Sequence, residues 1–356
     1  MIARAPVRVS FFGGGTDLPA YYLRHGGAVL SATIDKYVYV ILNVSEQHSL
    51  QITSSDYHTF YRHARGEPLL WDGDLSLPKA VLHHFGVEHG LAVFLASEVP
   101  PGTGLGSSSS ATVALVKTVS TACGFRLPPQ QVAELACEIE IRKLKKPIGV
   151  QDQYAAAFGG LNWMTFGATG VTVEALAVPD ETLDRLAGRL VLAHTGSVHD
   201  SAAILDQQTR SCSAGDPVVI EALQGVHRLA LQARELLQAG ELDRFGALLD
   251  EAWRHKRKFA AGVTNPRIEE CYALARRNGA LGGKIAGAGG GGFLMLYCEE
   301  GTVDRVQSAL AGKGLRCLDY GFEADGARVL FNAGLCLEGA APRPGREHRR
   351  LKESSS

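Results

Sequence analysis

Neither sign of charge is in excess in this 356-residue chain: 36 Lys and Arg stand against 37 Asp and Glu, a net charge of −1. That balance gives no electrostatic footprint for nucleic acid or for an anionic membrane surface, and neither partner is expected. No apolar run reaches bilayer-spanning length, and no leader-like apolar stretch opens the chain. The seven cysteines are odd in number and include no C-x-x-C pair, which argues against a disulfide framework or a zinc site. A reducing cytoplasm is the simplest home for such a chain. Gly-Lys-Ser/Thr is missing, so there is no Walker A loop. G-x-S-x-G is missing too, so there is no hydrolase elbow. No internal repeat is present.

What the chain has in quantity is glycine: 41 residues, clustered at 13–15, 102–106 and 282–292. Clusters point to close approach of backbone to a ligand or to another part of the chain, because no Cβ intervenes. The middle cluster is the most informative. Residues 100–112 read Pro-Pro-Gly-Thr-Gly-Leu-Gly-Ser-Ser-Ser-Ser-Ala-Thr, between a strand-like segment, Leu91 to Val99, and an apolar helical run from Ala111. A glycine turn feeding a helix start exposes backbone N–H groups at the positive end of the helix dipole, a ready site for phosphate. The serine hydroxyls can cap the helix, bind phosphate oxygens or ligate Mg²⁺. A flexible Gly/Ser linker is the plainer alternative, but a linker would not join a strand to a helix. The third glycine comes too early for a dinucleotide fingerprint.

Length and a hydrophobic content of 46% allow two domains with real cores. Val7, Val9 and Phe11 alternate with Arg8 and Ser10 as in a strand. Helices are expected at 77–85, 111–123, 129–146 and 151–158, and strands over 28–44, 51–54, 162–166 and 171–176. After a strand at 189–195 come helices at 217–239, 241–260, 266–278 and 302–312, with strands at 293–298, 314–320 and 327–332. The expected division is 1–177 and 178–338, with a disordered Arg-, Pro- and Ser-rich tail over 339–356.

Several side chains admit two readings. In the helix at 129–146, Val132, Leu135, Ala136 and Ile139 form the core stripe, and Glu134, Glu138 and Arg142 a solvated face. Glu140, flanked by Ala133, Ala136, Cys137 and Leu144, either snorkels from a boundary or faces a cation. Asp152 is either a helix N-cap or a general base for a substrate hydroxyl. Arg8 is either an edge-facing arginine or a fixed positive charge on phosphoryl oxygens. Asp17 is turn chemistry or a ligand for sugar hydroxyls. Residues 287–292 hold more glycine than a tight turn needs, and close approach to a ligand or to the other domain is expected. His194, His199 and His255 are too scattered for a metal site.

The three glycine clusters, in this order, resemble the GHMP kinase superfamily, which includes galactokinase, homoserine kinase and mevalonate kinase. The motifs are Ala5-Pro6-Val7-Arg8-Val9 with Gly13 to Asp17, then Pro100 to Ala111, then Lys284 to Gly292. The likeness covers the chain to about residue 335. It implies an α+β fold in two lobes, the first like ribosomal protein S5 domain 2 and the second ferredoxin-like. It also implies ATP and Mg²⁺ as cofactors. Pro101, Gly102, Thr103, Gly104, Leu105, Gly106, Ser107, Ser108 and Ser109 would hold the ATP phosphates, and Ser108 and Glu140 the metal. Asp152 would act as base and Arg8 would polarise the acceptor hydroxyl. Gly14, Gly15, Thr16, Asp17, Lys284, Gly289 and Gly290 would line the sugar. Four serines replace the superfamily's Ser-Ser-Ala-Ala, which opens the question of which hydroxyl reaches the metal.

Within the superfamily, Gly13 to Tyr22, Ala32 to Tyr37, Gln151 to Tyr154 and Asn265-Pro266 most resemble kinases of D-glycero-D-manno-heptose 7-phosphate. They are shared in part with fucokinase-like sugar 1-kinases. The implied reaction is phosphorylation of the anomeric hydroxyl to the 1,7-bisphosphate, with Lys36, Arg62 and Lys284 as candidates for the 7-phosphate. A free-sugar kinase, or a non-catalytic sugar/ATP sensor, is the alternative. An oligomer is compatible with all of these readings.

Overall fold

The computed structural model describes residues 1–45, 49–56, 58–64, 66–196 and 201–337. His199 and the 339–356 tail lie outside them. The chain runs β1 (Ile2–Phe12), α1 (Pro19–His25), β2 (Gly27–Val44), β3 (Leu50–Ser54), β4 (Thr59–His63), α2 (Ser76–His84), β5 (Leu91–Ser97), α3 (Ser107–Ala122), α4 (Pro129–Cys137), α5 (Gln151–Phe158), β6 (Leu161–Gly167) and β7 (Gly170–Ala175). It continues through α6 (Asp180–Gly188), β8 (Leu190–His194), α7 (Ser201–Ser213), α8 (Pro217–Gln238), α9 (Leu242–Lys256), α10 (Pro266–Arg277), β9 (Ala280–Ile285), β10 (Phe293–Cys298), α11 (Val303–Ala311), β11 (Arg316–Cys317) and β12 (Arg328–Phe331).

Two sheets organise these elements. The larger has the order β12-β1-β2-β5-β3-β4, with β6 and β7 branching from the long β2. The smaller has the order β11-β8-β10-β9, all antiparallel. Its connectivity is β-α-β-β-α-β with strand order 4-1-3-2, the ferredoxin-like arrangement, with four helices in the first crossover. The expected two-lobed α+β architecture is therefore present. Alternation along β1 does the work the sequence suggests: Val7, Val9 and Phe11 enter an apolar cluster shared with Leu192, Phe245 and Met295 of the second lobe. Burying each such side chain is worth about 1.5–3 kcal/mol. The same alternation sends Arg8 and Ser10 to the opposite face.

Three local departures matter. α3 begins at Ser107, four residues before the apolar run, because Gly106 turns into a left-handed conformation (φ 78°) and the serines form the first helical turn. The helix expected over 129–146 widens into a π turn over Glu138–Lys143, a local insertion often found at functional sites. The division at 177/178 also gives way at its far end. β12 returns to pair with β1, satisfying what would otherwise be an open sheet edge. Ala327 and Leu337 N–H groups donate to the Ala156 and Ala122 carbonyls of the first lobe. Residues 327–337 thus belong to the first sheet's lobe. The helices at 19–25, 180–188 and 201–213 and the strands β4 and β9 are not among the expected elements.

Candidate active site

The start of α3 has no side-chain cap, so its first-turn N–H groups are free for an anion. The four serines have separate fates. Ser110 Oγ donates to the Pro6 carbonyl (2.8 Å), tying α3 to β1. Ser109 Oγ accepts from Gln153 Nε2 (3.2 Å), and Ser107 is buried. Ser108 is the exposed one. Its Oγ accepts from Lys146 Nζ at 3.0 Å. That ammonium also pairs with Glu140 Oε1 at 3.1 Å. Glu140 sits in the π turn with no solvent exposure, and its other oxygen accepts from Gln153 Nε2 at 2.7 Å. A cation therefore already stands between Ser108 and Glu140, so these two groups fit a positive ion. Among the described residues no cluster of three or more Asp, Glu, His or Cys could hold a metal unaided. A divalent ion here would need waters and nucleotide phosphates to complete its shell, the usual Mg²⁺ arrangement.

On the opposite face of the loop, Arg8 and Asp152 form an ion pair. Arg8 Nε and Nη2 both approach Asp152 Oδ1, at 2.8 and 2.7 Å, and Nη1 donates to the Gly104 carbonyl at 2.6 Å. Asp152 Oδ2 has no hydrogen bond from the described residues. Asp152 does not cap α5; Asp17 Oδ2 accepts the Gln151 N–H at 3.2 Å instead, while Oδ1 accepts from Gly15 N–H at 2.9 Å. Gly106 must be glycine. A Cβ there would lie 3.1 Å from Asp152 Oδ2 and 3.4 Å from Arg8 Cζ, in a left-handed conformation.

Two cavities border the loop, one at its serines and one at the Arg8–Asp152 pair. The larger, about 500 Å³, runs outward from Ser107, Ser108 and Lys146 past Pro101 to Val38, Leu95 and Leu77. The smaller, about 90 Å³, is lined by Arg8, Gly14, Gly15, Asp17, Asp152, Lys256 and Lys284, with Ser10, Gln151 and Gln208. Burial dominates its electrostatics. Asp17 is raised above the usual carboxylate range by desolvation and then by Asp152, against its two backbone N–H bonds. Lys256 is lowered to about 7 by burial and then by Arg8. Its ammonium donates to the Ile285 and Gly287 carbonyls at 2.7 and 2.5 Å. Lys284 is pushed well below the usual lysine value by burial, then by Lys256 and Arg8. The Ser10 Oγ, Gln151 Oε1 and Gln208 Nε2 atoms are buried without a partner, which suits a ligand rich in hydroxyls.

Several expected residues lie elsewhere. Thr16 is fully buried, and its hydroxyl bridges the Gly13 and Ala28 carbonyls, so it shapes the turn and does not reach the cavity. Gly289 and Gly290 lie against Val263, where the Gly290 N–H donates to the Val263 carbonyl at 2.8 Å. Thr103 and Leu105 are buried, their carbonyls accepting from Phe293 and Arg8 N–H groups. The third glycine cluster serves the other half of its expectation, contact between lobes. A Cβ on Gly104 would lie 2.4 Å from the Ala286 carbonyl oxygen, and one on Gly287 2.6 Å from Gly104 Cα. Lys36 pairs with Asp35 and Arg62 lies on β4; neither lines either of these two cavities, whereas Lys284 lines the smaller. His194 and His255 line neither cavity. Sequence reading passed over Lys146, Lys256 and Gln208. The first two sit in basic runs that read as solvated helix ends, and Gln208 carries no motif.

Comparison with known proteins gives the family. The family model for the GHMP kinases N terminal domain matches residues 76–160, and that for the GHMP kinases C terminal matches 233–315. A D-glycero-alpha-D-manno-heptose 7-phosphate kinase of Campylobacter jejuni is 30% identical over 331 residues, covering 91% of this chain and 97% of its own. The chain belongs to the GHMP kinases. It is thereby a phosphotransferase with an alcohol acceptor, and use of ATP follows from the family. The crystal structure of a D-glycero-D-manno-heptose 1-phosphate kinase from Bacteroides thetaiotaomicron superposes with a TM-score of 0.76 at 28% identity, covering 92% of this chain and 97% of that one. A bifunctional fucokinase/GDP-fucose pyrophosphorylase of Arabidopsis thaliana is 26% identical over 83% of this GHMP kinase but only 29% of its own length. No helix among the described residues is long and apolar enough to cross a membrane.

Proposed function

We propose that this GHMP kinase transfers the γ-phosphoryl group of ATP to the anomeric hydroxyl of D-glycero-D-manno-heptose 7-phosphate, giving the 1,7-bisphosphate. One observation carries the choice of a phosphorylated acceptor: Arg8, Lys256 and Lys284 converge on a recess of about 90 Å³ that holds only two carboxylates, Asp17 and Asp152. Lys256 and Lys284 are buried amines whose charged forms desolvation disfavours, so an anionic ligand is the partner that would restore their charge, and the 30% identical relative is named for a sugar phosphate.

In this reading the larger cavity takes the nucleotide, with its phosphates at the Ser107–Ser109 N–H groups. Gly14, Gly15 and Asp17 border the sugar. Asp152 Oδ2 accepts the proton of the attacking hydroxyl, while Arg8 fixes the carboxylate through Oδ1 and steadies the loop through Gly104. Ser108 and Glu140 would hold Mg²⁺, which when bound neutralises charge spreading over the transferred phosphoryl group. The uncapped helix start and Arg8 add fixed positive potential. Lys256 and Lys284 hold the distal phosphate.

The test is a panel of heptose 7-phosphate, heptose 1-phosphate, fucose, galactose and mannose with ATP, the product phosphate being located by ³¹P and ¹H NMR. Turnover confined to a free sugar, or a product lacking an anomeric phosphate, would overturn the assignment.

A further inference from the structure

Glu140 is fully buried, yet its nearest cation comes from a side chain that is 30% exposed. An unpaired carboxylate in that position would cost several kcal/mol. The chain meets this locally. Lys145 turns left-handed (φ 56°) at the end of the π turn. The Lys146 N–H then closes on the Glu140 carbonyl at 3.0 Å. The chain reversal brings Lys146 Nζ back between Glu140 Oε1 and Ser108 Oγ. The same ammonium borders the larger cavity beside Ser107 and Ser108.

We propose that Lys146 is a displaceable placeholder for the divalent cation. It neutralises Glu140 while the site is empty and withdraws along the cavity wall onto a nucleotide phosphate when metal and nucleotide enter together. The inference rests on the assignment of Ser108 and Glu140 as metal ligands. Its physical basis is competition. A monovalent and a divalent cation held by the same carboxylate oxygen and the same hydroxyl repel each other, and the divalent one competes better for them. Metal arriving alone strands the ammonium, whereas metal arriving with polyphosphate offers it a new anion. Lys146 therefore couples metal and nucleotide binding, beyond whatever the phosphates contribute as ligands. It is a positioning residue, since in this scheme it acts by yielding a site.

Mn²⁺ binding followed by electron paramagnetic resonance tests this on the full chain, with and without adenosine 5′-(β,γ-imido)triphosphate. Lys146→Met should bind Mn²⁺ alone about tenfold more tightly than the wild type and gain correspondingly less from the nucleotide analogue. Mn²⁺ affinity no tighter than wild type overturns the proposal. Glu140→Gln separates the two assignments: if it leaves Mn²⁺ binding unchanged, the metal site itself is misplaced. Should Lys146→Met fail to fold, the wild type still answers. Acetic anhydride labelling of Lys146 should rise several-fold with saturating Mn²⁺ alone and fall again with the analogue. Labelling indifferent to Mn²⁺ overturns the proposal.

Discussion

Arg8 spends two nitrogens on a single oxygen of Asp152, Nε at 2.8 Å and Nη2 at 2.7 Å from Oδ1, leaving Oδ2 without a hydrogen bond from the described residues. Asp152→Asn should keep the shape and lose the base. A kcat lower by about 10²–10⁴-fold, with the KM for ATP little changed, is the expected outcome. Steady-state kinetics with both substrates varied would decide it, and a kcat within threefold of wild type would rule Asp152 out as base.

Gly106→Ala tests the loop that carries the pair. The new methyl group would enter a left-handed backbone against Asp152 and Arg8, at a cost of about 1–2 kcal/mol before any clash is counted. Calorimetry should show a lowered Tm, and kcat should fall more than the stability loss alone would bring.

Lys256 gives the site a pH signature. Its folded value of about 7 lies below the ordinary 10.5, so between those limits the unfolded chain binds a proton the folded chain lacks. Stability from this group accordingly rises with pH across about 7 to 10.5, and its penalty is fully present below 7. An anionic sugar should recharge the amine. Titration calorimetry at pH 8 in two buffers of different ionisation enthalpy should report proton uptake on binding sugar phosphate, and Lys256→Met should reduce it. Identical heats in both buffers would contradict this.

Gln208→Leu separates function from stability. The Nε2 of Gln208 is buried without a partner, so its loss should leave Tm unchanged or raised. If that nitrogen serves a sugar hydroxyl, the acceptor KM should rise about tenfold, the scale of one unmade buried hydrogen bond.

Much of this was legible in the sequence, for reasons that differ by residue. The β1 alternation and the glycine-serine run are local signals, and both Arg8 and the start of α3 follow from them. Ser108 stood among four equivalent serines, and only tertiary contacts separate them, because Ser110 and Ser109 are bonded to Pro6 and Gln153. Thr16 and Gly290 illustrate the reverse case. A motif marks where the chain is constrained, and the constraint at these two positions is backbone packing. Lys256 was hidden because helix periodicity says which face is buried, not that the Ile285 and Gly287 carbonyls and Arg8 of the first lobe will meet at its end.

The pairing of β12 with β1 places Phe331 beside Ile2. A ribosome therefore cannot finish the first sheet when it has made the first lobe. That edge of the sheet stays open until residue 331 has emerged, so residues 178–326 are synthesised, and free to fold, before the sheet is complete. Truncation just before β12 should expose β1 to pairing between molecules, and such a chain would be held back by aggregation before chemistry becomes limiting.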